Sequence, residues 1–319
     1  MESGNWHAQT AGLREEFRTL LDLDNVRALH ATSGWRHGLI AVRQMLLAAA
    51  CVWAIITWNR VLWGWLPAAV LLGFVVFSFT VLLHEVVHHA VFRRRERPLG
   101  NRVLAWLYAL PSGLAPSQFA RWHLDHHAEL GTEDKDPKRH HLTPKIVRRW
   151  YKALYLTPAL FPIYFRAAGR EASTYSPALR ARLRRERVCV IGTHLAVMAA
   201  IVWWGGWAFL LKLYVVPVFF VFPIAFTINR LGQHYDIIPE DPAAWGTIIR
   251  TNPLWDFLYL WSNYHMEHHY FPGVPFYNLA ALHRELQPIF DRHRMRHRTY
   301  GGLVWDWFIN NKAPHIEWH

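Results

Sequence analysis

Cysteine is scarce in this sequence. The chain of 319 residues contains two cysteines, Cys51 and Cys189, and both lie within or at the edge of apolar runs. Two cysteines are too few for a disulfide framework or for a four-cysteine metal site. We therefore interpret both as small apolar residues, and any metal site in this chain has to use other ligands.

Several cofactor and targeting motifs are also absent. The sequence has no His-Pro-Gly-Gly signature of cytochrome b5, no four-cysteine pattern of a rubredoxin or ferredoxin, and no GxGxxG dinucleotide site. A redox enzyme with this sequence would therefore need an external electron donor. The N-terminal region has no short apolar core followed by a small-residue cleavage site, so we expect no cleaved signal peptide.

Acidic residues are outnumbered by basic ones. Asp and Glu number 23 against 35 Lys and Arg, which gives a formal net charge of +12. The basic residues concentrate at positions 93–97, 135–149 and 166–187, in segments between apolar runs. This distribution is typical of the cytoplasmic segments of membrane proteins. We therefore predict a membrane partner and no nucleic acid.

Long apolar runs are plentiful. Residues 39–56 and 62–83 are each close to the roughly 20 residues that a helix needs to cross a bilayer. Residues 188–228 are too long for one span and suit two helices with a turn near positions 205–214. The sequence therefore predicts an all-α integral membrane protein with about four transmembrane helices in two hairpins.

Two shorter apolar stretches, 103–115 and 151–165, are interrupted by prolines and are predicted to form interfacial helices. Two hairpins would place segments 93–187 and 233–319 on one side of the membrane, and the basic residues make that side cytoplasmic. We expect a cytoplasmic N-terminal segment at residues 1–38 and one further domain at 39–319.

Histidine is abundant, with 21 residues, and much of it is clustered. The clusters read His84-Glu-Val-Val-His88-His89, His123-Leu-Asp-His126-His127 and His265-Met-Glu-His268-His269. Residues three or four positions apart share one face of a helix, so each cluster can direct its imidazoles to one side. Imidazole suits iron, zinc and copper, and the clusters hold more histidines than one metal ion can use. The sequence therefore predicts two metal ions.

The available side-chain ligands limit which metals the site can bind. Structural zinc normally closes with four ligands and often uses cysteine, which this chain cannot supply at a suitable spacing. A redox pair such as two iron ions fits the histidine clusters better. All three clusters fall beyond the ends of the predicted spans, on the predicted cytoplasmic side. Separate segments can therefore converge there.

The patterns HxxxHH, HxxHH and HxxHH resemble the three histidine boxes of the membrane fatty acid desaturase superfamily. The stretch Asn-Tyr-His-Met-Glu-His-His-Tyr-Phe-Pro-Gly-Val-Pro at 263–275, followed by Asn278-Leu and Leu282-His283, is similar to the third-box region of acyl-lipid and sphingolipid desaturases. The resemblance extends over about residues 83–283. It identifies residues 39–319 as a desaturase-like catalytic domain.

The resemblance implies a set of histidine ligands for two iron ions. The implied set is His84, His88, His123, His126, His127, His234, His265, His268 and His269. His234, in Asn229-Arg-Leu-Gly-Gln-His234, occupies the place of an extra histidine that the family carries between the last span and the third box. Acyl-CoA members carry an Asn four residues before that histidine, where this chain has Arg230.

The resemblance also implies an activity. Members of the superfamily use O2 and reduced iron to remove hydrogen from an unactivated methylene of a fatty acyl or related lipid chain, which gives a double bond. The electrons would come from a ferredoxin, a rubredoxin or a cytochrome b5-type donor. Hydroxylation shares the first step, so a lipid or carotenoid hydroxylase or ketolase is the alternative. The non-enzyme alternative is a membrane metal-binding or transport protein, which would carry polar residues deep within its spans.

Residues beside the predicted ligands leave alternatives open. His89 is turned about 100° from His88 on a helix, so it either supports the site or packs against its neighbours. Glu85, Asp125 and Glu267 could orient imidazoles by accepting their second N–H, or could be ordinary solvated or salt-bridged carboxylates. Most of the other histidines, including His140, His141, His283, His293 and His297, are predicted to lie on the surface, with His283 the one that could have a role.

Overall fold

The protein is mostly helical. The computed structural model describes residues 6–93, 96–132, 135–144, 146–234, 237–238 and 240–313, and these residues contain many helices and one small two-stranded sheet. The chain divides into two compact units. We call Met1–Thr32, Arg121–Ala153 and Thr227–His319 the histidine-rich unit, and Ser33–Ala120 with Leu154–Phe226 the apolar unit.

The α-helices are α1 (Trp6–Gln9), α2 (Ala11–Leu20), α3 (Leu23–Leu29), α4 (Gly34–Thr57), α5 (Leu62–Val87), α6 (Pro98–Ser112), α7 (Pro116–Ala128), α8 (Pro137–Leu142), α9 (Arg149–Ala153), α10 (Leu160–Ala172), α11 (Pro177–Leu210), α12 (Phe222–Leu231), α13 (Pro253–Leu258), α14 (His265–Tyr270), α15 (Leu279–Arg292) and α16 (Tyr300–Val304). Short 3-10 helices cover Leu154–Leu156, Pro242–Ala244 and Phe276–Asn278, and π-helices cover Leu211–Val221 and Trp305–Ile309. Strands β1 (Ile248–Ile249) and β2 (His297–Arg298) pair in parallel.

Among the described residues, three helical segments are long and apolar enough to cross a membrane. They are Gly34–Thr57, Leu62–Val87 and Pro177–Leu231. The first two contain the predicted runs 39–56 and 62–83. Helix α4 begins before the predicted run because Ser33 caps it, with its side chain accepting a hydrogen bond from the N–H of Arg36 at 3.2 Å.

The third segment is interrupted at Gly206. That residue has φ 78° and ψ −176°, a conformation that is open to glycine and strained for other residues. Nδ1 of His194 lies 2.5 Å from the hydroxyl of Tyr214, whereas twenty residues of straight helix would span about 30 Å. The chain therefore reverses at Gly206, within the predicted interval 205–214. The number of membrane crossings and the hairpin topology stay predictions.

Lys212, a charged residue in an otherwise apolar stretch, has identifiable contacts. Its ammonium donates a hydrogen bond to the carbonyl of Asn59 at 2.6 Å and lies 5.5 Å from the centre of the Trp65 ring. Asn59 follows the end of α4, where backbone carbonyls have no partner within the helix. The charge therefore lies at a helix end, as expected near a turn.

The beginning of α7 is fixed by side chains of α11. The carboxylate of Glu186 accepts hydrogen bonds from the backbone N–H of Ser117 at 2.9 Å and from its hydroxyl at 2.6 Å. The neighbouring Arg187 donates to the side-chain carbonyl of Gln118. An anion at the first turn of a helix satisfies free N–H groups and interacts favourably with the helix dipole. These contacts fix the first turn of the helix that carries the second histidine cluster.

In the histidine-rich unit the N-terminal helix α2 packs against the end of α14 and against α15. Phe17 is 1% exposed, and its ring lies 4.5 Å from that of Tyr270 and 6.1 Å from that of Phe290. Glu16 forms an ion pair with Arg292 at 2.6 Å. The described part of residues 1–32 is thus folded onto this unit. The predicted boundary between residues 38 and 39 stays a prediction.

The last helix of the histidine-rich unit is held at its carbonyl end by two cations. Lys152 is fully buried and donates to the carbonyls of Trp307 at 2.6 Å and Lys312 at 2.7 Å. Arg149 donates to the carbonyls of Phe308 and Ile309. Cations at a helix C-terminus satisfy unpaired carbonyls and complement the helix dipole.

Candidate metal centre

The predicted histidine clusters lie on helices, as their spacing indicates. His84 lies in the last turn of α5 and His88 at its C-terminal cap, His123, His126 and His127 lie on α7, and His265, His268 and His269 lie on α14. His234 follows the end of α12. Seven of these nine residues belong to the histidine-rich unit, while His84 and His88 belong to the apolar unit.

Four buried histidines converge in the histidine-rich unit. They are His126, His234, His265 and His269, and one ring nitrogen of each lies within 4.8 Å of the others. We call them the four-histidine group. The Nε2 atoms of His234, His265 and His269 are separated by 3.0 to 3.1 Å. With metal–nitrogen bonds of about 2.1 Å, two ligands at a right angle are about 3.0 Å apart, so this triangle suits one metal ion.

Three more histidines of the same unit form a second group. They are His123, His127 and His268, again with one ring nitrogen each within 4.8 Å of the others. We call them the three-histidine group. The Nε2 atoms of His127 and His268 are 3.0 Å apart. The rings of His127 and His269 stack at 4.0 Å, so the two groups are adjacent, as a site for two metal ions requires.

Two acceptors fix the tautomers of ligands in the four-histidine group. Nδ1 of His234 donates to the carbonyl of Trp245 at 3.0 Å, and Nδ1 of His126 donates to a carboxylate oxygen of Asp136 at 2.9 Å. Because carbonyl and carboxylate oxygens only accept here, each Nδ1 carries the proton and each Nε2 presents its lone pair. Such outer contacts orient imidazole ligands and make them better donors to a metal.

Asp136 is itself held in place by backbone groups. Its carboxylate accepts from the N–H of Gly131 at 3.1 Å and from the N–H of Lys138 at 3.0 Å. Gly131 has φ 77°, and a Cβ at this position would lie 2.7 Å from the ring of Trp245. Glycine is therefore required for both the backbone conformation and the close approach to Trp245.

Burial favours the neutral form of three members of the four-histidine group. The pKa values of His234, His265 and His269 lie well below the ordinary value of 6.5, chiefly because burial disfavours the charged imidazole. Neighbouring histidines lower these pKa values further. Neutral imidazole is the form that binds metal ions, so the donor set fits a metal at neutral pH.

The first histidine box lies at the end of α5, in the apolar unit. The rings of His84 and His88 are 4.7 Å apart, and Nδ1 of His84 lies 3.1 Å from a carboxylate oxygen of Glu85. His89 follows with φ 55°, and its Nδ1 lies 3.4 Å from the side-chain nitrogen of Asn101. Glu85 therefore contacts a predicted ligand, and His89 contacts a neighbouring side chain.

The other two box carboxylates have different partners. Asp125 forms an ion pair with Arg121 at 2.7 Å, and the carboxylate of Glu267 accepts a hydrogen bond from Nδ1 of His283. Asp125 therefore forms an ordinary salt bridge, which was one of the two possibilities for the box carboxylates. His283, one of the histidines predicted to lie on the surface, is the partner of Glu267.

Sequence reasoning missed two supports of the site, Asp136 and the carbonyl of Trp245. Asp136 precedes Pro137 at the start of α8, and an Asp-Pro pair is a signal for the beginning of a helix. That signal predicts the start of a helix but not a contact with His126, which lies 10 residues earlier in the chain. The carbonyl of Trp245 leaves no signal in the sequence.

Asn229, the residue next to the position where acyl-CoA desaturases carry an Asn, has side-chain partners. Its amide nitrogen donates to the hydroxyl of Ser262 at 2.8 Å, and its amide oxygen accepts from Gln233 at 3.0 Å. These contacts tie the end of α12, and hence the backbone before His234, to the segment that precedes the third box.

Helices long and apolar enough for a bilayer, together with two adjacent histidine groups, define a class of membrane proteins with histidine-rich metal centres. A family model for the fatty acid desaturases matches residues 61–301. The chain therefore belongs to the fatty acid desaturase family, and it is an oxidoreductase of that family. The resemblance identified from the histidine boxes is confirmed.

Several curated proteins are similar over most of their length. The sphingolipid delta(4)-desaturase/C4-monooxygenase DES2 of Homo sapiens is 26% identical over 268 residues, covering 79% of this chain and 76% of the relative. The sphingolipid delta(4)-desaturase DES1 of Drosophila melanogaster is 25% identical, covering 86% and 81%. The sn-1 acyl-lipid omega-3 desaturase (ferredoxin) of Synechocystis is 25% identical, covering 75% and 71%. These relatives place the chain among lipid desaturases at the level of the family.

Proposed function

We propose that this chain is an O2-dependent di-iron desaturase that introduces a double bond into a fatty acyl or related lipid chain. The observation that carries this proposal is the pair of adjacent histidine groups, with nitrogen separations that suit metal ligands, in a chain of the desaturase family. The proposed ligands are the seven histidines of these groups together with His84 and His88 of the first box.

Each part of the proposed site has a distinct task. The iron pair would supply the activation of O2 and the removal of hydrogen from an unactivated methylene. The neutral imidazoles supply nitrogen lone pairs, and Asp136 and the Trp245 carbonyl hold two of them in the required tautomer. Burial of the four-histidine group keeps water away from these donors. The protein's contribution is therefore to bind, orient and exclude water.

The overall reaction requires an external reductant. Desaturation breaks two C–H bonds and forms one C=C bond, so the substrate gives up two electrons and two protons. Reduction of O2 to two water molecules takes four electrons and four protons, so two of each come from outside the substrate. The relative from Synechocystis is named for ferredoxin, which supports a separate donor protein of the ferredoxin, rubredoxin or cytochrome b5 type.

We further propose that the protein crosses the membrane several times, with its histidine groups on the cytoplasmic side. The apolar arms on either side of Gly206, together with α4 and α5, supply four helical segments for two hairpins. The concentration of basic residues in the segments between apolar runs supports the cytoplasmic assignment.

A hydroxylase of the same class is the second proposal. The human relative is named both a desaturase and a C4-monooxygenase, so both outcomes occur among proteins similar to this one. Hydroxylation inserts one oxygen atom into a C–H bond, reduces the other to water and uses the same two external electrons. The first step is common, and the position of the substrate decides the outcome.

Lipid analysis of an expressing host tests the proposal. We would compare wild type with His268→Ala and with His140→Ala, an exposed histidine outside both groups, by mass spectrometry of fatty acid methyl esters and sphingoid bases. A product lighter by two hydrogens in wild type and His140→Ala but not in His268→Ala is expected. A product heavier by one oxygen would indicate hydroxylation. Purified wild type without bound iron would contradict a di-iron site.

A further inference from the structure

The first described residues of the chain lie against the metal centre. Trp6 is 1% exposed, and its ring contacts that of His269 edge to face, with centroids 6.0 Å apart and planes at 86°. The same ring lies 6.0 Å from that of Trp245 and 5.3 Å from that of Tyr270. Trp6 therefore covers one ligand of the four-histidine group directly, and it contacts the residue whose carbonyl orients another.

His7 contacts a different part of the centre. Its Nε2 lies 3.2 Å from the backbone carbonyl of His127, and Arg14 donates to its Nδ1 at 2.7 Å. Because the Arg14 guanidinium can only donate, Nδ1 of His7 is the acceptor. Nε2 of His7 therefore carries the ring proton and donates a hydrogen bond to the carbonyl of His127. That carbonyl lies in the last turn of α7, where carbonyls have no partner within the helix. His7 thus ties down the end of the helix that carries the second box.

The N-terminal segment is held in this position by several contacts. The hydroxyl of Thr10 donates to the carbonyl of Trp6 at 2.6 Å, Phe17 packs between Tyr270 and Phe290, and Glu16 pairs with Arg292. A buried hydroxyl bond, a buried aromatic side chain and an ion pair therefore fix helices α1 and α2 onto α14 and α15. These contacts therefore hold Trp6 and His7 in place beside the metal centre.

We propose that Trp6 and His7 are positioning residues of the metal centre, which keep the histidines of the second and third boxes in place and exclude water from them. This inference rests on the proposed function, because it assigns the two residues a role toward a bound metal pair. It extends the site to a segment that the histidine boxes do not include. Removing the Trp6 ring would open a cavity beside His269, through which water could compete for the ligand nitrogens.

Metal release from the full-length protein in lipid nanodiscs tests this role. Protein stripped of metal and reloaded with Co²⁺ would be mixed with excess chelator, while the ligand-field absorption of cobalt reports the geometry and the rate of loss. Contacts outside the ligand shell typically change metal affinity 10- to 100-fold. We therefore expect Trp6→Ala to release Co²⁺ at least about 10-fold faster and Trp6→Phe to lie between it and wild type. We expect His7→Gln, which keeps an N–H donor, to release Co²⁺ more slowly than His7→Ala.

A matched variant separates positioning from general stability. Trp307 is also 1% exposed in the histidine-rich unit, but its ring lies against Phe308 and the Lys152 ammonium. Trp307→Ala should lower the melting temperature and leave the rate of cobalt release unchanged. If Trp6→Ala released Co²⁺ at the wild-type rate, or no faster than Trp307→Ala, the positioning role would be wrong while the proposed metal centre stood. Wild type that bound no Co²⁺ would overturn both proposals.

Discussion

The two histidine groups differ in burial and in the contacts that orient their imidazoles. The four-histidine group lies entirely within one unit, all four residues are buried, and two of its imidazoles have fixed acceptors. The three-histidine group has His123 and His268 buried but His127 half-buried. Burial limits access to a metal ion, and acceptors that orient imidazoles raise their affinity for it. The comparison teaches that the two metal sites should differ in affinity and in access.

Acid should destabilise the metal-free protein through the buried histidines of the four-histidine group, and this is the largest effect that we expect. The pKa values of His234, His265 and His269 lie well below 6.5 because burial disfavours the charged imidazole. As the pH falls below 6.5, the unfolded chain therefore takes up protons that the folded chain does not. The free energy of unfolding of the metal-free protein should fall by up to about 4 kcal/mol per pH unit, and these groups should have no effect well above pH 6.5.

Denaturant unfolding of metal-free protein at about pH 7.5 and about pH 5.5 measures this dependence. The variant His265→Gln removes one of the three buried imidazoles and should lower the slope by about a third. If the free energy of unfolding stayed constant between these two pH values, the buried histidines would have to take up protons as readily as unfolded ones.

Weakening the contact between Asp136 and His126 should affect one of the two proposed metal sites and not the other. Asp136→Asn weakens the carboxylate that orients His126 in the four-histidine group, so one of two metal-binding steps should weaken by about 10- to 100-fold. That change corresponds to about 1.4 to 2.7 kcal/mol. Titration calorimetry with Co²⁺ resolves the two steps. Equal weakening of both steps would contradict the independence of the two groups.

Glu267→Gln provides the matched control for Asp136→Asn. Glu267 lies inside the third box, but its carboxylate is bound to His283 rather than to a member of either histidine group. The substitution should therefore leave both cobalt-binding steps within about threefold of wild type.

The smallest effect that we expect is that of a substitution at Gly206 in the apolar unit. Gly206→Ala places a side chain at φ 78° and ψ −176°, which should cost at least about 1 kcal/mol of stability. Metal binding should be unchanged, because no proposed ligand lies on the helical segment Pro177–Leu231 that contains Gly206. Thermal unfolding and cobalt titration of the same sample check both statements, and weakened cobalt binding would contradict the second of them.

Much of the fold and site follows from patterns within the sequence. The helical spacing of the histidines predicts that they share helix faces, and seven of the nine predicted ligands converge in two groups. The apolar runs predict helices α4 and α5. The third run predicts a turn near 205–214 because it is too long for one span. These predictions succeed because helix periodicity and bilayer thickness are local, regular constraints.

What sequence reasoning missed depends on contacts between distant segments. The carboxylate of Asp136 contacts His126 while the backbone N–H groups of Gly131 and Lys138 hold it in place. Glu267 contacts His283 rather than an imidazole of either group, although its place inside the box allowed both. The packing of Trp6 on His269 links residues far apart in the sequence, and neither composition nor periodicity carries that information.

The hydrogen bonds from Lys152 to the end of the last helix affect where this protein can be shortened. The family match ends at residue 301, before the carbonyls of Trp307 and Lys312 that receive the Lys152 ammonium. A chain cut at the edge of the match would leave a buried cation without those acceptors, in a unit that also holds seven of the proposed ligands. We therefore expect a stable protein to need residues up to at least Lys312, beyond the end of the family match.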